Sequence, residues 1–115
     1  MSRKDDRLYL GHMLDMCRKI TDRTAGLTRE RFNGDENLRL ALLHLVQIIG
    51  EAARLVSEKA RAAHPEIPWQ EITGMRHRIV HDYMNVNDAV LWEVVTKDIP
   101  FLLAALERIA PPDEL

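Results

Sequence analysis

An all-α fold is predicted for this chain of 115 residues, an up-and-down bundle of four to five helices, and three observations predict it. Apolar residues recur at steps of three and four over long stretches, the period of one helix face. Helix-ending and helix-starting residues punctuate those stretches, at Gly26, Gly34 with Asp35, Pro65 with Pro68, Asn87 with Asp88, and Pro111 with Pro112. No segment alternates apolar and polar residues over strand length, and there is no internal repeat or glycine-rich phosphate loop.

The first helix is predicted over about Asp5 to Thr24, where Tyr9, Met13, Met16 and Ile20 share one face and Leu10, Leu14 and Cys17 widen it. Gly26 stands just past its end. Thr28 to Phe32 leaves room for one helical turn before Gly34, and Asp35 is placed to cap the next helix. That helix, the longest, is predicted from about Glu36 to Ala63. Leu38, Leu42, Leu45, Ile49, Ala52 and Val56 alternate steps of four and three, which marks a central packing helix. Its other side carries His44, Gln47, Glu51, Arg54 and Glu58. That line reads either as a solvated face or as a polar line facing a cleft or a two-fold partner. Glu51, beside Gly50 and two alanines, is the member of interest under the second reading.

Pro68 suits the first position of a helix, and Trp69, Ile72, Met75 and Ile79 predict one from Trp69 towards Val80. Asn87 or Asp88 caps the last helix, with Trp92, Val95, Ile99, Leu102, Leu106 and Ile109 in rhythm. Pro100 inside it removes a backbone donor and predicts a kink or two abutting helices.

The length fits a single domain over 1–115. A hydrophobic share of 46% and a charged share of 30% describe a soluble globular chain. A net charge of −2 argues against a general nucleic-acid coat protein, while leaving open a site that grips one phosphate. Cys17 is the sole cysteine, so no internal disulfide is expected, and a reducing compartment fits. The charged N-terminus leads to no apolar run of signal length, and no run approaches the roughly 20 residues that span a bilayer. A cytoplasmic location without membrane contact is the expectation.

The chemistry concentrates in Gly74–Tyr83, where two arginines, two histidines, an aspartate and a tyrosine fall within ten residues. On a straight helix Arg76 and His81 would lie about 140° apart and share no face. For both to serve one site, the helix must loosen near Val80 or two subunits must meet there. A helix ending near His81 lets Arg76, His81 and Tyr83 converge at its terminus. These residue types suit cleavage of RNA, which carries its own nucleophile in the 2′-hydroxyl. A histidine moves protons near neutral pH. An arginine holds the phosphate by paired hydrogen bonds, and a tyrosine stacks on a base or bonds the phosphate.

The segment Arg76-x4-His81-x-Tyr83 resembles the signature of the HEPN superfamily of helical domains. Its flanks resemble the HepT-like toxin branch: Trp69-x2-Ile72-x-Gly74-Met75-Arg76 before it, Val86-x5-Trp92 and Asp98-Ile99-Pro100 after it, and Ile49-Gly50-Glu51-Ala52 on the long helix. The resemblance covers about Leu8 to Leu106 and implies a metal-independent endoribonuclease that needs no cofactor. It implies a homodimer, or a larger oligomer, in which two motifs line one cleft. It implies a toxin paired with a minimal nucleotidyltransferase antitoxin (MNT), which transfers AMP to Tyr83. Arg76 would then bind phosphate, His81 would be the acid and base, and Tyr83 a site residue and the modification target. His77, Asp82 and Glu51 are auxiliary candidates. Many relatives carry a polar residue such as Asn where this chain has His77.

Two other readings stand beside this one. His77 and His81 are four apart, a helical metal-ligand spacing, with Asp82 adjoining; further ligands would have to come from His44, Asp88 or Asp98. Alternatively the domain binds nucleotides or partners without catalysis, Arg76 and Asp82 forming a structural ion pair and Tyr83 a packed residue. Met13, Met16 and Met75 read as core, Trp69 and Trp92 as packing anchors, and Cys17 as buried and inert.

Overall fold

The computed structural model describes residues 3–82 and 85–109. It is an all-α bundle, and the elements run α1 (Arg3–Thr24), α2 (Arg29–Asn33), α3 (Glu36–Leu55), α4 (Glu58–Ala63), α5 (Trp69–Thr73), α6 (Met75–Ile79), β1 (Val80–Asp82), β2 (Asn85–Val86), α7 (Asp88–Glu93), a π-helical turn (Val94–Asp98) and α8 (Ile99–Ile109). No helix among the described residues is long and apolar enough to cross a membrane.

The bundle assembles on α1, which packs along both α3 and α8. Met13, Cys17 and Ile20 from α1, Leu42 and Ile49 from α3, and Ala105 and Leu106 from α8 are fully buried in one continuous cluster. The expected starts hold: Thr28, Asp35 and Asn87 each accept a backbone N–H with their side chain, as N-caps do. Gly26 has a φ of 70°, the left-handed stop expected there.

The helix predicted over Glu36–Ala63 breaks. Val56 is extended at ψ 136°, and Ser57 caps α4 by accepting from the N–H of Ala60. The apolar rhythm does not show this, because the break is held from outside: Ser57 donates its N–H and its hydroxyl to the Asp6 carboxylate, at 2.8 and 2.7 Å. Glu58 therefore leaves the polar line of α3, on which His44, Glu51 and Arg54 are exposed and Gln47 is half-buried.

The helix predicted from Trp69 also divides, into α5 and α6, at Gly74 with φ −94° and ψ 0°. A Cβ at Gly74 would stand 3.2 Å from the carbonyl of Gln70, so a side chain would crowd the junction. The strands β1 and β2 form an antiparallel ribbon pairing Val80 with Val86 and Asp82 with Asn85. The sequence predicts no strand here; a ribbon this short is below the length at which alternation is visible.

Around Pro100 the last predicted helix is divided, α7 and α8 abutting across the π-helical turn Val94–Asp98. The chain widens one turn earlier, where Ile99 donates its N–H to the carbonyl of Val94, five residues back. Pro100 has no N–H for the carbonyl of Thr96, and the wider turn gives its ring space. Thr96 donates its hydroxyl to the carbonyl of Trp92 at 2.6 Å.

A candidate active site where a short helix becomes a ribbon

The motif lies on the junction of α6 and β1. Met75 and Ile79 are buried and anchor α6, so the three residues between them, Arg76, His77 and Arg78, all face outwards. The last helical bond runs from the N–H of Val80 to the carbonyl of Arg76, and Val80 is already extended at φ −112°, ψ 107°. The helix thus ends at Ile79, close to the loosening that a shared site for Arg76 and His81 requires. The carbonyl of Ile79 accepts from the N–H of Asn87 at 2.6 Å, which closes the ribbon against the end of α6.

His81 and Asp82 are exposed on β1. Among the described residues, no hydrogen bond or ion pair engages the side chains of Arg76, His77 or His81. An exposed arginine and imidazole that no other described side chain engages are placed to meet a phosphate. Tyr83 lies outside the described residues.

Glu51 sits on α3 next to Gly50, whose absent side chain lets α3 approach α5. A Cβ at Gly50 would be 3.4 Å from the carbonyl of Ile72 and 4.0 Å from that of Thr73. Glu51 follows Gly50 on α3 and is exposed and ion-paired with Arg54. No hydrogen bond or ion pair among the described residues links it to Arg76 or His81.

The metal reading loses its geometry. His77 lies on α6 and His81 on β1, so no helical turn places them on one face. Two of the residues needed to complete that set are engaged by arginines, Asp88 with Arg39 at 3.4 Å and Asp98 with Arg78 at 3.3 Å. Among the described residues, no three His, Cys, Asp or Glu side chains gather to hold a metal.

Two residues not singled out from the sequence belong to the surroundings. Asn87, expected only as a cap, also closes the ribbon. Arg78 is tied to Asp98 beside a cleft of about 130 Å³ between α5–α6 and α8.

Comparison with known proteins agrees with the family resemblance. The family model described as "Ribonuclease HepT-like" matches residues 13–109. "Putative RNase TTE0752" of Caldanaerobacter subterraneus subsp. tengcongensis is 37% identical, over 92% of this chain and 95% of its own. "Probable ribonuclease HepT" of Thermococcus cleftensis is 34% identical, over 88% of this chain and 92% of its own. No solved structure matches the chain. With the match spanning α1 to α8 and the motif at the end of α6, the chain belongs to the Ribonuclease HepT-like family.

Proposed function

We propose that the protein is an endoribonuclease that cleaves RNA without a metal, and that it is the toxin of a pair whose antitoxin is a nucleotidyltransferase. The observation that carries the reading is the solvated Arg76 and His81 on either side of the α6–β1 junction, in a chain of this family. Arg76 binds the scissile phosphate and offsets charge growing on its oxygens. His81 takes the proton of the 2′-hydroxyl as that oxygen attacks phosphorus; the 5′-oxygen leaves and receives a proton. The products are a 2′,3′-cyclic phosphate and a 5′-hydroxyl. His77 and Asp82, on the same exposed junction, are auxiliary, and so is Glu51 on α3.

Tyr83 completes the site and is the target of the partner. Its phenolic oxygen attacks the α-phosphorus of ATP, pyrophosphate leaves, and the proton is released, so that AMP then blocks the phosphate position. The acting form is a homodimer. Support comes from the surface beside the ribbon, where Leu40 and Val86 are exposed around a groove also lined by Leu43 and Arg39. A second copy covering it would bring two motifs to one cleft.

The test is RNA cleavage by purified, unmodified protein in the presence of EDTA, with cyclic-phosphate ends read on the products. His81→Ala should lower the rate by roughly 10²- to 10⁴-fold with the fold intact. Full activity in His81→Ala would remove His81 from its role. RNA binding without cleavage by the wild type would favour a binding module instead.

A further inference from the structure

Asp98 sits where a regular helix would bury it. Leu91, Val95 and Leu102 are buried, and at ordinary helical pitch Asp98 would fall within about 40° of the centre of their stripe. A carboxylate without a partner there is costly. The π-helical turn of Val94–Asp98 advances less per residue and swings Asp98 to the margin of the stripe. There its Oδ2 meets Nη1 of Arg78 at 3.3 Å, both side chains 45% exposed. Arg78 lies on the five-residue α6, which has no side-chain cap. So short a helix has little stability of its own, and tertiary contacts set its orientation. Met75 and Ile79 hold one side of it in the core, and Arg78 holds its rim.

We propose that Asp98, through Arg78, is a positioning residue for the candidate site. The pair fixes the rotation of α6 about its axis. That rotation sets the direction in which Arg76 and His77 leave the helix and the start of the strand that carries His81. The proposal rests on the reading of this junction as the reaction centre. An exposed ion pair adds little to global stability, so its loss should alter the site far more than the fold.

The test compares wild type, Asp98→Asn, Arg78→Gln and the exchanged pair Arg78→Asp with Asp98→Arg. Glu107→Gln, which breaks the exposed pair Arg18–Glu107, is the control. Amide hydrogen exchange over residues 75–82 and the kinetics of RNA cleavage are the two readouts. Each single variant should exchange faster there and lose roughly tenfold in kcat with little change in KM. The exchanged pair should recover both, and the control should match wild type. Unaltered exchange, unaltered kcat in both single variants, or no recovery in the exchanged pair would overturn the proposal. Should Asp98→Asn not fold, Arg78→Gln decides. The exchange readout is independent of activity: an inactive wild type whose exchange follows the pair defeats the nuclease reading and leaves the strut standing.

Discussion

Asn87 and Ile79 are joined by a backbone hydrogen bond of 2.6 Å, while the Asn87 side chain accepts from the N–H of Val90 at 3.1 Å. One residue thus closes the ribbon onto the end of α6 and starts α7. Asn87→Ala keeps the backbone bond and removes the cap, which should cost about 1 kcal/mol of stability. Asn87→Asp should retain most of it. Chemical denaturation measures both, and an unchanged midpoint for the alanine variant would mean that the cap contributes nothing.

Gly50 lets α3 lie close to α5, with room for a methyl group and little more. Gly50→Ala should be neutral or stabilising by up to about 1 kcal/mol, since alanine favours the helix. Gly50→Leu should push α5 away, lower the melting temperature and weaken RNA cleavage, because α5 leads directly into α6. Equal behaviour of the two variants would show that the approach of the helices is not limiting.

Cys17 is fully buried in α1, and burial pushes its thiol up from 9.0 to about 12. Ellman's reagent should therefore react with it only after unfolding. Between pH 9 and 12 the unfolded chain releases a proton that the folded chain keeps, so stability should fall as pH rises through that window. Cys17→Ala should flatten the slope. The same slope in both proteins would assign the alkaline loss to other groups.

Arg76 is exposed near the start of α6, and its proposed role depends on a fork of donors, which lysine does not have. Arg76→Lys keeps the charge and should still lower kcat/KM by roughly 10- to 100-fold, a loss of about 1.4 to 2.7 kcal/mol in transition-state binding. Cleavage at the wild-type rate would show that charge alone suffices there.

Much of the fold was legible because its signals are local. The stripe from Leu38 to Ala52 and the caps Thr28, Asp35 and Asn87 act within four residues of themselves. The motif was legible as a cluster of residue types, and so was its need for a helix end near Val80. The ribbon was not, since Val80 and Val86 pair only once the chain has turned back.

The sequence by itself determined the helical class and the starts of most helices, and singled out the short segment proposed to bear the chemistry, because period and capping are properties of neighbouring residues. Tertiary structure alone decided where the long helix breaks, why the last helix widens and what Asp98 faces. Those features depend on partners remote along the chain: Asp6 reaches Ser57 across 51 positions, and Arg78 reaches Asp98 across 20. Only the packed structure shows that the helix widens before Pro100 and that an arginine meets Asp98.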